Sequence, residues 1–208
     1  MDTRERILYA ALRLFACDGY EAVSVSRIAG MLGMTKGALY KHYDDKRAIF
    51  DAILARMARR DAERAGEFDL PERARCEDEA AYRAASGAQL LRYSIAQLRY
   101  WTQDEFAANF RRLLTLEQYR SPELSALYQQ YLAAGPLGYV TDLFDALGVP
   151  DAPRAAAAFY APMFLFYSIC DGADDPAAAL QQADACLRAA LPPELNGKEE
   201  SYNELPPQ

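Results

Sequence analysis

The apolar residues of the first 64 positions recur at every third or fourth place, and this spacing restricts the fold more than any other feature of the chain. It is the spacing of an amphipathic helix, and the apolar stripe of the first helix consists of Ile7, Ala11, Leu14 and Phe15. Thr3 can cap this helix. Glycines and the cap-forming residues Ser24, Thr35, and Asp44 or Asp45 separate it from three further short helices, over about 24–32, 35–42 and 45–64. No stretch of the sequence alternates polar and apolar residues as a half-buried strand does. The sequence therefore predicts an all-α fold that begins with four closely packed helices.

The rest of the chain has the pattern of a larger helical bundle. Its helices are expected over about 87–103, 104–119, 121–147, 155–170 and 174–191. The pair Gly135-Pro136 should bend or split the helix that contains it. Between the first four helices and this bundle, the stretch 67–86 is polar, contains Pro71 and is expected to be a connection.

These patterns predict two folded parts and a tail. The tail is rich in Pro, Glu and Asn and has no apolar period, so we expect it to be disordered. The predicted parts are a three-helix helix-turn-helix domain at 1–50, a fourth helix at about 45–64 that connects it to the body, a helical body at 65–191, and the tail at 192–208.

The net charge of −7 conceals an asymmetry between these parts. Residues 1–64 carry 12 Lys and Arg against 9 Asp and Glu, a net charge of +3. Residues 65–208 carry 11 against 21, a net charge of −10. Contact with nucleic acid needs local positive charge rather than a basic chain, so the asymmetry favours such contact by the N-terminal part.

The sequence argues against a membrane, a metal or a catalytic site. It has no run of 18 or more apolar residues and no signal-peptide pattern at its N-terminus, so we expect a cytoplasmic protein. Its single histidine and the absence of hydrolase, phosphate-loop and dinucleotide motifs give no basis for an enzyme or a cofactor. Four widely spaced cysteines do not form a zinc pattern and are expected to be reduced, buried apolar residues: Cys17, Cys76, Cys170 and Cys186.

The segment SVSRIAGMLGMTKGALYKHYDDKRAIF, residues 24–50, carries the most specific pattern. It is typical of two helices joined by a short turn at Gly33. The second of them, here called the reading helix (residues 35–42), has small residues at its start, basic and aromatic residues further along, and no acidic residue. These properties suit a helix that enters a DNA major groove. The residues expected to contact DNA are Arg27, Thr35, Lys36, Gly37, Ala38, Tyr40, Lys41, His42 and Lys46.

This segment resembles the signature of the TetR/AcrR family over about residues 4–55. The matching elements are Ile28-Ala29, Gly33, Thr35, Gly37, Leu39-Tyr40, Tyr43 and Lys46. Tyr43 stands where the family more often has Phe, and Asp45 where Ser is common. Both substitutes can serve in the same way, Tyr43 as a packed aromatic side chain and Asp45 as the N-cap of the fourth helix.

The resemblance implies a body that dimerises through its last two helices and holds a small-molecule pocket. The sequence supports the dimer in part, since AAAFYAPMFLFYSIC is apolar on every side and must be covered on every side. A second copy of the chain could provide this cover. The residues expected at the dimer interface are Phe159, Met163, Phe166, Leu180 and Leu187.

The pocket is expected among the many aromatic residues of the body, where a few polar groups are interleaved. The alternative for each of these residues is an ordinary place in the core. The candidate ligand contacts are Tyr100, Trp101, Phe110, Glu117, Tyr128, Tyr131, Phe164 and Tyr167.

Together these features predict a homodimeric repressor that binds a palindromic operator on double-stranded DNA. A hydrophobic or aromatic effector would release it from DNA. It would do so by binding the body more tightly in one of two conformations, which differ in the distance between the two N-terminal DNA-binding parts. Two alternatives stay open. One is an architectural or protein-responding DNA-binding module of the same fold without a small-molecule site, and the other is a helical enzyme or ligand carrier.

Overall fold

The computed structural model describes residues 2–65 and 85–195, and it contains ten α-helices and one short 3-10 helix within these ranges. The helices are α1 (Thr3–Asp18), α2 (Val25–Met31), α3 (Lys36–Leu39), α4 (Lys46–Ala65), α5 (Gly87–Gln103), α6 (Glu105–Glu117), α7 (Pro122–Leu132), α8 (Ala134–Ala146), α9 (Ala152–Gly172) and α10 (Pro176–Ala190), and the 3-10 helix is Pro193–Leu195. No strand occurs in the described ranges, which confirms the all-α prediction.

Local capping signals account for the boundaries of the first four helices. The side chain of Ser24 accepts a hydrogen bond from the Arg27 amide and that of Thr35 from the Ala38 amide, as the sequence predicts for N-caps. Asp45 caps α4 in the same way, at 2.7 Å from the Ala48 amide nitrogen. The cap of α1 is Asp2 rather than the predicted Thr3, because the Asp2 carboxylate accepts from the Glu5 amide and Thr3 already lies in the helix.

The chain divides into two compact units, and the first of them is larger than the predicted head. It comprises Met1–Arg64 together with Gln103–Gln129, so α6 and most of α7 belong with α1–α4 although the sequence prediction assigns them to the body. Phe106 of α6 lies edge-on to Tyr9 of α1, with ring centroids 5.2 Å apart. The side chains that fill this core are Ile7, Leu12, Phe15, Ile28, Leu39, Ile49, Ile53, Met57, Phe106 and Phe110.

The second unit comprises Ala65–Thr102 and Gln130–Gln208, and contains most of α5, the end of α7, α8, α9 and α10. The predicted split near Gly135-Pro136 is confirmed, since α7 ends at Leu132 and α8 begins at Ala134. Gly135 is needed at this corner, because a Cβ there would meet the Gln130 carbonyl oxygen. The rings of Phe144 and Phe159 pack edge to face at 5.8 Å in the core of the unit.

The predicted disordered tail is wrong for its first residues. Residues 193–195 form the 3-10 helix, and Leu195 is buried against Gly87, the first residue of α5. A Cβ on Gly87 would lie 2.7 Å from the Leu195 carbonyl oxygen, so the two segments approach closely. The rest of the predicted tail, the connection at 67–84 and Cys76 lie outside the described residues.

None of the helices in the described ranges is both long enough and apolar enough to span a membrane.

Candidate nucleic-acid interface

The reading helix presents its polar and small residues outward and one apolar residue inward. Leu39 is fully buried and fixes the helix to the core, where Ile28 of α2 is also fully buried. A single helical turn, Lys36–Leu39, is followed by backbone hydrogen bonds that continue the turns as far as Tyr43. The exposed residues of this segment are Thr35, Lys36, Gly37, Tyr40 and Lys41, and the half-buried ones are Ala38 and His42.

The surface around Gly37 is open. A Cβ added to this residue would meet no atom within 4 Å, so a DNA backbone or base edge can approach the helix closely there. The Lys36 ammonium lies 5.5 Å from the centre of the Tyr40 ring, one turn further along, and the Tyr40 side chain is 40% exposed. The outer face therefore carries two ammonium groups and a phenol with no carboxylate on the helix itself.

Arg4 of α1 holds the end of the reading helix, a role that the sequence does not reveal. Its guanidinium donates to the His42 carbonyl oxygen at 2.9 and 3.3 Å and lies 5.3 Å from the centre of the Tyr43 ring. Burial raises the pKa of the Tyr43 hydroxyl above its ordinary value, although Arg4 acts in the opposite direction, so this ring is uncharged near neutral pH. The sequence separation between Arg4 and His42 explains why local patterns could not indicate the contact.

Two of the residues expected to contact DNA have partners inside the protein. Arg27 pairs with Asp18 at 2.8 Å, and both side chains are partly exposed. Lys46, the first residue of α4, donates to the Tyr20 carbonyl oxygen at 2.8 Å, and its ammonium lies 4.2 Å from the centre of the Tyr20 ring. Only about a fifth of the Lys46 side chain is exposed (22%), so its charge is directed into the first unit.

Four arginines of α1 and α4 pair with carboxylates within the first unit. Arg60 donates to both carboxylate oxygens of Asp104, and Arg47 does the same with Glu123. Asp104 also caps α6, and although burial opposes its ionisation, its bonds from Arg60 and from backbone amides hold its pKa below the ordinary value. The other two pairs are Arg13 with Glu105 and Arg56 with Glu5. Because α6 has a buried face and its start pairs with Arg60 and Arg13, α6 belongs to the support of the reading helix.

The eight predicted ligand contacts fall into both units. Phe110, Glu117 and Tyr128 are buried in the first unit. The other five belong to the second unit: Tyr100, Trp101, Tyr131, Phe164 and Tyr167. Trp101 lies edge-on to both Tyr100 and Tyr131, with ring centroids at 5.5 and 6.1 Å, and Phe164 is 48% exposed. The aromatic cluster that the structure brings together in the second unit is thus centred on Trp101.

The five predicted dimer contacts are directed into the chain itself. Phe159, Met163 and Phe166 lie on the buried side of α9, and Leu180 and Leu187 lie on the buried side of α10. The outer side of α9 carries a different apolar set. Phe164, Leu165 and Ile169 are exposed there by 48, 57 and 37%.

The cysteines differ in exposure. Cys17 lies on the surface of α1, contrary to the expectation of burial, and Cys170 and Cys186 are half-buried. Within residues 2–65 and 85–195, no three His, Cys, Asp or Glu side chains are grouped so that they could hold a metal ion.

Gly19 ends α1 in a conformation that no other residue tolerates, and we expect Gly19→Ala to destabilise the protein by about 2–3 kcal/mol. Its backbone has φ 87° and ψ 156°, and an added Cβ would lie 2.5 Å from the Glu117 carboxylate. Gly33→Ala is the matched control, because Gly33 has φ 65° but open space around it, and we expect a loss of about 1 kcal/mol. Denaturant unfolding measures both, and equal losses would contradict the close approach at Gly19.

Comparisons with known proteins find the same helix-turn-helix segment and the same helical fold in bacterial regulatory proteins. Residues 7–53 match the family model described as bacterial regulatory proteins, tetR family. The HTH-type transcriptional repressor AcnR of Corynebacterium efficiens is 38% identical over 72 residues, which are 35% of this chain and 38% of that protein. The matched segment thus spans well under half the length of the curated relatives.

Two solved structures extend the likeness to the whole fold. A bacterial regulatory protein of the tetR family from Rhodococcus RHA1 has a TM-score of 0.61 at 21% identity, with 92% of this chain and 98% of that chain covered. A complex of SmeT with triclosan has a TM-score of 0.60 at 19% identity, with 91 and 90% covered. The sequence match lies over the helix-turn-helix, and the shared fold extends over nearly all of the chain. Residues 7–53 therefore match the tetR family of bacterial regulatory proteins, and the chain shares its fold with both solved structures.

Proposed function

We propose that the chain is a homodimeric repressor that binds a palindromic operator through its reading helix and is released by a hydrophobic or aromatic effector. The observation that carries DNA binding is the outer face of residues 35–42, where exposed Lys36, Tyr40 and Lys41 surround the open position at Gly37. Basic and aromatic side chains reach phosphates and base edges, and the missing side chain lets the helix sit deep in the groove.

The proposed dimer forms through the outer faces of α9 and α10. Besides Phe164, Leu165 and Ile169, the exposed residues between 157 and 169 are alanines and one serine, so no charge lies on this part of α9. The exposed residues of α10 are mostly Ala and Gln, and its Arg188 is paired with Asp184 at 3.1 Å. A contiguous uncharged face of this kind marks an interaction site, and a second copy presents the same face to it.

The proposed effector site is the aromatic cluster of the second unit. Tyr100, Trp101 and Tyr131 form one edge-to-face group, and Tyr93 and Tyr139 form another pair at 6.4 Å. A site formed mainly by aromatic side chains favours a flat, largely apolar molecule. SmeT, a protein of this fold, forms a complex with triclosan, and this supports the proposal of a small-molecule effector.

DNA binding is tested by affinity selection of sheared genomic DNA from the source organism on the purified protein at near-physiological salt. We expect a short palindrome to be recovered by the wild type and lost with Tyr40→Ala/Lys41→Ala. The control Tyr119→Ala/Arg154→Ala removes one exposed aromatic and one exposed basic side chain elsewhere and should retain the palindrome. Retention without a shared sequence would favour the architectural alternative, and no retention at all would overturn the proposal.

The effector is tested through Trp101, the only tryptophan of the chain. Triclosan is the first probe, and binding beside this ring should change the intrinsic fluorescence and weaken operator binding in the same concentration range. Trp101→Phe should remove the fluorescence change while leaving the operator affinity of the unliganded protein intact. If a panel of flat apolar compounds that includes triclosan changes neither signal, the module without a small-molecule site becomes the better account.

A further inference from the structure

The peptide unit of Tyr20, in the turn between α1 and α2, is held from two sides. Its amide donates to the Glu117 carboxylate at the end of α6, at 3.0 Å. Its carbonyl oxygen accepts from the Lys46 ammonium at the start of α4, at 2.8 Å. The Tyr20 ring packs between Phe15 of α1 and Phe50 of α4, with centroids 5.1 and 5.2 Å away. One residue thus contacts three helices of the first unit.

The Glu117 side of this contact is buried and closely fitted. Glu117 is only 3% exposed, and its carboxylate occupies the space where a side chain on Gly19 would lie. The Arg120 guanidinium lies 3.3 Å from this carboxylate. A buried carboxylate needs such partners, because an unpaired one costs several kilocalories per mole. This carboxylate is therefore fixed in place by the turn that it binds.

The Lys46 side connects the same turn to the DNA-facing surface. Lys46 follows the reading helix by four residues, and its ammonium is also 3.4 Å from the Glu21 carbonyl oxygen and 3.6 Å from the Glu21 carboxylate. An ammonium that donates to the protein in this way has few free donors for a phosphate. The Lys46 ammonium is thus directed towards the turn between α1 and α2.

We propose that Glu117 and Lys46 form a clasp on Tyr20 that sets the position of the reading helix relative to α6, so that both are positioning residues for operator binding. Lys46 acts through the protein rather than on a DNA phosphate. The inference rests on the proposed DNA binding.

The test is the salt dependence of operator affinity for variants of the two residues, with the palindrome retained by the wild type as probe. Lys46→Met keeps the length of the side chain and should weaken binding about tenfold while the slope of log Kd against log salt stays that of the wild type. Lys41→Met, at an exposed position of the reading helix, should instead reduce the slope by about 1. Equal loss of slope in both variants would make Lys46 a phosphate contact and overturn the clasp.

Glu117 is tested with a conservative pair. Glu117→Gln retains an oxygen that can accept from the Tyr20 amide and should bind within about threefold of the wild type, whereas Glu117→Ala should lose tenfold or more, since a bond of this kind corresponds to about that factor. Both should keep the salt slope. Wild-type affinity in Glu117→Ala would contradict a positioning role.

Hydrogen exchange at the Tyr20 amide separates failure of the clasp from failure of DNA binding, because it needs no DNA. Glu117→Ala should speed exchange of this amide about tenfold or more, and Glu117→Gln should not. The neighbouring Gly19 amide, which donates to the Phe15 carbonyl at 3.0 Å, is an internal control that should stay protected in both variants. Fast exchange of the Tyr20 amide already in the wild type would overturn the proposal.

Discussion

Replacing Phe106 by alanine is expected to lower the free energy of unfolding by about 3–5 kcal/mol, the usual cost of emptying a fully buried aromatic site. Phe106 lies on α6, is completely buried, and contacts the Tyr9 ring and the Arg56 guanidinium. Removing the ring would leave a cavity between α6 and the helices that support the reading helix. Denaturation in urea, followed by circular dichroism, measures the loss.

The control is Tyr119→Ala, two residues after α6. Tyr119 is 89% exposed, so the same truncation of an aromatic side chain should change stability by no more than about 0.5 kcal/mol. Similar small losses in both variants would mean that α6 does not share a core with α1 and α4. The comparison therefore tests the extent of the first unit as well as the burial of one ring.

The second large effect is expected from Leu165→Glu on the outer face of α9. A charge at this exposed apolar position should convert the proposed dimer into monomers, since an unpaired carboxylate cannot be buried in an interface without a large penalty. Sedimentation should then give the mass of one chain. Operator affinity should fall by about 100-fold or more, because the two reading helices no longer bind as one molecule.

Tyr119→Glu adds the same charge at another exposed site and should change neither the mass nor the affinity. The folding of each variant is checked by its helical circular dichroism. A wild-type protein that sediments as one chain, or a Leu165→Glu variant that stays a dimer, would exclude this face as the interface.

The sequence predicts well those features that depend on neighbouring residues. Ser24, Thr35 and Asp45 each cap a helix whose first turn follows immediately, and the break near Gly135 comes from the backbone of the segment itself. The helix-turn-helix could be predicted for the same reason. It is a compact local arrangement in which spacing determines which side chains face inward.

Features that depend on distant residues were predicted less well. Lys46 has the position and charge of a phosphate contact, and only the folded chain shows that the Tyr20 carbonyl accepts its ammonium. In α9, apolar residues surround the helix, so periodicity could not tell the buried side with Phe159 from the exposed side with Leu165. The sequence places Leu195 in the tail because one apolar residue in a polar stretch has no period, whereas in the structure Leu195 packs against Gly87.

The first unit is assembled from two separate stretches of the chain, and this limits how the protein can be recombined with its relatives. A chimaera that joins residues 1–64 to a foreign body would leave Arg60 without Asp104, Arg47 without Glu123 and the Tyr20 amide without Glu117. An exchange of the proposed operator specificity between this chain and a relative should therefore transplant 103–129 together with the N-terminal helices. Alternatively, it should alter only the exposed residues of the reading helix and leave their support in place.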